Sequence, residues 1–140
     1  VVSEAAGGAA GASAVSSYRL NGNSLNVISA SIGTGQTAAC WIVVTPDGKY
    51  AYSTNAGSAS LSGYAVNADG SITLLNGRAG ETGDGTGPTD ATMSNDGRLL
   101  YALSPRSQTV IGFMVQADGS LLAIGSFGGL QPGAAGIAAW

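Results

Sequence analysis

Residues able to do acid–base or nucleophilic chemistry are few in this chain. Its 140 residues include no histidine, one cysteine (Cys40), five Lys and Arg together, and eight Asp and Glu together. Without histidine the commonest general base and metal ligand is missing and a Ser-His-Asp arrangement is impossible; Ser-Lys chemistry would rest on Lys49 alone, just after a turn. What remains is carboxylate chemistry. Besides Asp84-Gly85, in a glycine-rich stretch, four aspartates precede glycine, in Asp47-Gly48, Asp69-Gly70, Asp96-Gly97 and Asp118-Gly119. Each pair lies between alternating apolar runs and reads as a hairpin turn, because glycine takes positive φ freely and aspartate bonds to nearby backbone. Calcium ligation needs several oxygens at fixed short spacing, which the pattern lacks, so no metal and no cofactor is expected.

Two glycine-rich stretches have equally plain readings. Gly83-Asp84-Gly85-Thr86-Gly87 would need a following helix to cradle a phosphate, and a strand follows, so it reads as a connector. Gly7-Gly8-Ala9-Ala10-Gly11 reads as a loose turn. The lone Cys40 permits no intrachain disulfide.

Composition bounds the class. Only 9% of residues are charged, against 44% hydrophobic, 23 glycines and a net charge of -3. That describes a folded, turn-rich domain rather than a disordered acidic segment. The five basic residues are scattered, so no nucleic-acid partner is expected. No apolar run approaches the ~20 residues that span a bilayer, and Val1-Val2-Ser3-Glu4 lacks a basic n-region and an apolar h-region, so neither a membrane segment nor a signal is read. A chain lacking an initiator Met is expected to be processed, trimmed or cut from something longer. Low lysine with many small polar residues favours an exported or extracellular protein.

The elements that position these residues come from a repeat. Asp47-Gly48 and Asp96-Gly97 are 49 residues apart, as are Asp69-Gly70 and Asp118-Gly119. Val43 to Tyr50 answers Thr92 to Leu99, and Gly63 to Ile72 answers Gly112 to Leu121; a shorter copy, Ser17 to Leu25, turns on Asn21-Gly22. Reading outward predicts strands at Trp41 to Thr45, Tyr50 to Asn55, Ser60 to Asn67 and Ser71 to Gly77, then at Ala91 to Ser94, Leu99 to Ser104, Thr109 to Gln116 and Ser120 to Phe127. Tyr18, Tyr64 and Phe113 recur at one position, which marks core. Four short strands per unit of about 50 residues predict an all-β fold, a β-propeller segment of about three four-stranded antiparallel blades. A β-sandwich is the alternative.

The expected boundaries are an incomplete blade at 1–37, blades at 38–86 and 87–130, and a closing inner strand at 131–140. Val1 to Ala6 takes the place of Tyr50 to Asn55, so the first blade lacks its innermost strand. Ala134 to Trp140 takes roughly the place of Thr89 to Ser94, an innermost strand without its blade. Three blades are too few to close a ring. The expected partners are therefore other copies of the chain, exchanging that strand, or the missing blades of a longer propeller.

The segment Cys40 to Asn55, the blade tail Val66 to Ile72 and the ending Pro132 to Ala139 resemble the lactonase family of seven-bladed β-propellers, which includes 6-phosphogluconolactonase and carboxymuconate-lactonizing types. The resemblance implies a substrate mouth at the central channel, where a Glu gathers with Arg and His groups, and a small lactone as ligand. Glu4 stands in a segment similar to the one carrying that acid. It would act as general acid or base, with burial raising its pKa towards neutrality. No His can match, and where relatives show Pro followed by Arg this sequence reads Pro88-Thr89-Asp90, which removes a cation expected to stabilise an oxyanion.

Two other residues join this set. Asp90 lies on a predicted innermost strand and either faces the channel or sits at the solvated rim. Trp41 either stacks on a ligand there or packs between blades. The expected site is thus Glu4 and Asp90 as catalytic groups, with Trp41 and Thr89 binding. Two functions from different classes follow: a lactone hydrolase, or a noncatalytic propeller that binds or self-assembles through strand exchange.

Overall fold

The computed structural model describes all 140 residues and contains eleven strands in three antiparallel sheets. The first sheet holds β1 (Val2–Glu4), β2 (Ala14–Asn21) and β3 (Ser24–Gly33), preceded on the chain side of β2 by a short 3-10 turn at Ala6–Gly8. The second holds β4 (Ala39–Val44), β5 (Tyr50–Asn55), β6 (Ser60–Val66) and β7 (Ile72–Glu81); the third holds β8 (Asp90–Met93), β9 (Leu99–Ser104), β10 (Thr109–Val115) and β11 (Leu121–Phe127). Each sheet is a meander of sequential strands, and β4 lies against both β1 and β8. The all-β, partial-propeller architecture is the one the 49-residue period predicts.

Strand ends agree with the spacing to within two residues except at β7, which continues to Glu81. A β-bulge at Gly63/Tyr64 lets pairing run on to Ser60 opposite Glu81. The same irregularity recurs at Ser17/Tyr18 and Gly112/Phe113. A bulge re-aims the residue that follows it, and here that residue is the recurring aromatic. Tyr64 and Phe113 are fully buried. Tyr18 is only half-buried because no blade covers its face.

Side-chain alternation along each strand supplies both faces of a blade. Ala51 and Tyr64 face the first blade, where Val15 meets them beside Ile72. Tyr52 and Leu61 face the third, where they join Leu100, Ala102, Ile111 and Phe113. Tyr52, Leu61, Leu100 and Phe113 are essentially inaccessible. Burial on this scale is worth about 1.5–3 kcal/mol per large side chain, so the inter-blade layers carry most of the stability.

The four hairpin Asp-Gly pairs lie together at one end of the stack. The amide of Gly48 bonds to the Thr45 carbonyl at 2.8 Å, and Gly70, Gly97 and Gly119 make the same four-residue turn. Each glycine has φ between 70° and 87°. The aspartates are spent on their own turns. Asp47 Oδ1 accepts from Thr45 Oγ1 (2.7 Å) and the Lys49 amide (3.1 Å), while Asp96 accepts from Ser94 and Arg98 in the same way. Asp69 and Asp118 instead accept both the amide and hydroxyl of Ser71 and Ser120.

These turns also bolt neighbouring blades together. Tyr52 donates its hydroxyl to the Gly119 carbonyl (2.8 Å), Tyr50 donates to the Ala117 carbonyl (2.8 Å), and Arg19 donates to the Asp69 carbonyl (2.6 Å). Burial raises the Tyr52 phenol pKa, so it stays a donor.

Two outcomes follow. Tyr52→Phe should destabilise the chain by about 1–3 kcal/mol in urea unfolding, because a buried carbonyl loses its donor. The four turn carboxyls have folded pKa values below the unfolded 3.8, that of Asp47 falling to about 2 through the Thr45 hydroxyl. The unfolded chain thus binds more protons in this range, and the stabilisation is present above pH ~4 and lost as pH falls towards ~2. Thermal melts across that window should fall less steeply for an Asp47→Ala, Asp96→Ala double variant.

Candidate functional site

Strands β5 and β9 start from Asp-Gly turns, and β1 pairs antiparallel with β2, which runs to the Asn21-Gly22 turn. All three therefore finish at the opposite end of the stack, the mouth. The last residue of each occupies one repeat position: Glu4 opposite Ala14, Asn55 opposite Ser60, and Ser104 opposite Thr109. The pairing thus aligns Glu4, two residues before Ala6, with Asn55. The connection from Glu4 to Ala14 is longer than that from Asn55 to Ser60, so the 49-residue offset slips there by two, which preserves the face each side chain points to.

This position is polar in every blade and differently charged. Asn55 is fully buried and donates through Nδ2 to Ser62 Oγ (2.9 Å) and Ser60 Oγ (3.4 Å), leaving Oδ1 without a partner. Ser104 is also fully buried, and its hydroxyl likewise has no partner. Glu4 is the one carboxylate of the three. It accepts from Ser16 Oγ and, at 2.7 Å, from Ser31 Oγ. Ser16 stands where Ser62 stands in the next blade, one residue beyond the strand pair Val15 and Leu61.

Sequence reasoning expects burial to raise the Glu4 pKa; the structure does the opposite. The Ser16 and Ser31 hydroxyls hold the carboxyl below its ordinary 4.5, against a smaller effect of burial. The neighbouring Ser3 donates to the Cys40 carbonyl of the second blade (3.1 Å), so by alternation Glu4 points the other way, onto the uncovered face of the first blade.

Among the other expected residues, Trp41 sits in an irregular stretch of β4 between Ala39 and Ile42. Its amide donates to Thr54 Oγ1 (2.9 Å) and its side chain is half exposed. Thr89 precedes β8 and donates its amide to the Leu103 carbonyl (3.1 Å). Asp90 Oδ1 accepts its neighbour Ala91's amide (2.8 Å), and Oδ2 accepts the Ile137 amide (3.2 Å). It therefore tethers the last segment of the chain, which carries no strand. Trp41 lies on the strand between those bearing Glu4 and Asp90. No hydrogen bond joins Glu4, Asp90, Trp41 and Thr89 to one another.

The mouth also holds a network absent from the sequence reading. Arg78 grips Glu81 with two bonds (2.7 and 2.5 Å) and donates to Gln36 Oε1 (3.1 Å), which also accepts from Ser60 (3.4 Å). The three-residue spacing of Arg78 and Glu81 was the one available signal.

A family model described as lactonase, 7-bladed beta-propeller, matches residues 12–132. The chain belongs to this lactonase family. No curated protein matches it. Among solved structures it is similar to a functionally unknown protein from Desulfotomaculum acetoxidans, at 27% identity and TM-score 0.66, covering 82% of this chain and 36% of that one. A candidate 6-phosphogluconolactonase from Bacteroides fragilis matches at 21% identity and TM-score 0.73, covering 88% and 35%. The periplasmic gluconolactonase of Pseudomonas aeruginosa matches at 20% identity and TM-score 0.63, covering 88% and 38%. The last two likenesses show the fold alone. The chain spans little more than a third of the length of each of these three proteins.

Asp90→Ala should speed amide hydrogen exchange at Ile137 while leaving exchange in β9 and β10 unchanged.

Proposed function

We propose that the chain supplies successive blades of a lactone-hydrolysing propeller, with the ligand entering at the mouth and Glu4 as its base. One observation carries this reading. Of three residues placed alike by the repeat, Glu4 alone is charged, and two serine hydroxyls keep it ionised at neutral pH. Family membership and the names of two structural neighbours point to lactones as the substrate class.

In the proposed reaction the carboxylate takes a proton from water as the water oxygen bonds to the lactone carbonyl carbon. The tetrahedral oxyanion then collapses, the ring C–O bond breaks, and the proton passes to the departing alkoxide, giving a hydroxy acid. In this reading Asp90 is a second carboxylate, Trp41 offers a half-exposed ring to stack on the substrate, and Thr89 a hydroxyl.

Hydrolysis of a glucono-lactone should fall about 100-fold in kcat/KM in Glu4→Gln. The acidic limb of the wild-type pH profile, where the carboxylate is protonated, should lie below the ordinary glutamate value of 4.5. Equal rates for the two proteins remove Glu4 from the chemistry.

A second reading, assembly between copies, rests on the end faces. Tyr52 and Leu61 are sealed by the third blade, but their repeat equivalents Tyr101 and Val110 are half exposed, covered only by Ile137 to Trp140. The uncovered face of a second copy's first blade, with Val2 and Tyr18, matches what Tyr52 and Leu61 meet. Light scattering on the purified chain should then report a dimer, and a well-folded monomer ends this reading.

A further inference from the structure

We infer that Ser31 is a positioning residue for Glu4, and that the outer strand of the first blade takes a left-handed bend at this serine to set its hydroxyl on the carboxylate. This deepens the lactonase reading by adding a residue to the same site, and its effect on rate rests on Glu4 being the base.

Ser31 has φ +45°. The other non-glycine residues with positive φ are Ala6, Ala38, Ala59 and Gln108, which lie in the 3-10 turn or in the last position before a strand; Ser31 alone lies inside a strand, β3. Such a backbone is costly for a residue with a side chain, persists only where surrounding contacts hold it, and gathers at functional sites. Here the contacts lead to Glu4. Val15 pairs with Ile32 and Ser17 with Ser29, so Ala30 and Ser31 together bulge opposite Ser16. The Ser31 amide donates to Ser16 Oγ (2.8 Å), and the Ser31 hydroxyl donates to Glu4 Oε2 (2.7 Å). Ser16, accepting that amide, gives its single proton to Glu4 Oε1.

The other blades are built without this bend. In the second, a neutral residue stands at the Glu4 position and the bonds run the opposite way: Asn55 Nδ2 donates to Ser62 Oγ (2.9 Å), and Ser62 donates to the Gly77 carbonyl (2.7 Å) of β7, a strand with no positive φ. In the third, the counterpart of Ser16 is Ile111, which pairs one to one with Ser126. The left-handed serine therefore accompanies the carboxylate rather than the blade. A carboxylate only accepts, so the hydroxyls around it must be turned to donate. The bend does this for both, through the Ser31 amide on Ser16 and through the Ser31 hydroxyl itself.

No charged partner shares this work. β3 carries no ionisable side chain, β2 carries Tyr18 and Arg19, and β4 carries Cys40. Arg19 is bound to the Asp69 carbonyl at the turn end, and no hydrogen bond or ion pair joins any of these three to Glu4. The hydroxyls of Ser16 and Ser31 are what hold the carboxyl below its ordinary range, against the smaller opposing effect of burial.

The test is NMR titration of the full chain carrying isotope-labelled glutamate, in which Glu4 and Glu81 are the only glutamates and Glu81 serves as reference. In Ser31→Ala and Ser31→Gly the Glu4 carboxyl should titrate closer to 4.5 than in wild type, and in Ser31→Thr, which keeps a hydroxyl, it should stay below both. Urea unfolding should find Ser31→Gly more stable than Ser31→Ala, the reverse of the order in an ordinary strand, because glycine takes this φ freely. Lactone hydrolysis should lose about tenfold in kcat in both, with KM little changed, since Ser31 fixes the base without meeting the substrate. An unmoved Glu4 titration in Ser31→Gly, Ser31→Ala more stable than Ser31→Gly, or Glu4-dependent hydrolysis that Ser31→Ala leaves at full rate overturns the inference. Equal hydrolysis by wild type and Glu4→Gln, with the titration shift present, ends the proposed function and leaves the placing of Glu4 by Ser31 intact.

Discussion

An antiparallel sheet with apolar side chains on both faces cannot stand alone in water, and this constraint organises the molecule. Each blade needs a neighbour on either side, since alternation sends Ala51 and Tyr64 one way and Tyr52 and Leu61 the other. The second blade is the only one so enclosed. Its strands β5 and β6 are almost wholly buried, whereas the outer blades leave Val2, Val27, Met114, Leu122 and Ile124 at their free faces and edges. Burial therefore falls from the middle of the stack outward.

The two ends of the stack do different work. At the turn end the repeat is strict, because each Asp-Gly turn serves its own hairpin and the Asp69 and Asp118 turns also accept from the blade beside them through their carbonyls. A Cβ at Gly119, where φ is +81°, would lie 2.5 Å from the Tyr50 ring, so the turn tolerates neither a different backbone nor a larger residue. At the mouth the repeat relaxes. Glu4, Asn55 and Ser104 share a position but not a chemistry. Variation concentrated where strands end is how one scaffold comes to carry a particular site.

Sequence-level reading reached the period, the strands and the family because these depend on local signals: turn residues, alternation and recurrence. The bulge before Tyr18, Tyr64 and Phe113 left no such signal beyond the recurrence itself, and it lengthened β7. The site was less legible. Glu4 was singled out as a candidate, but its environment was misjudged because Ser16 and Ser31 reach it only through strand pairing, from residues 12 and 27 positions away. Asp90 stood out for its innermost strand, yet its partner is the backbone of Ile137, 47 residues on.

The claim beneath all of this is that the second and third repeats meet face to face in the register described. A double-mutant cycle on Tyr50 and Gly119 measures it most directly, because these residues touch only across that interface. Gly119→Ala should be strongly destabilising, and adding Tyr50→Ala should recover part of the loss, giving a coupling of about 1 kcal/mol or more. Effects that add to within about 0.3–0.5 kcal/mol would contradict the blade-on-blade packing, and with it the placement of every residue at the mouth.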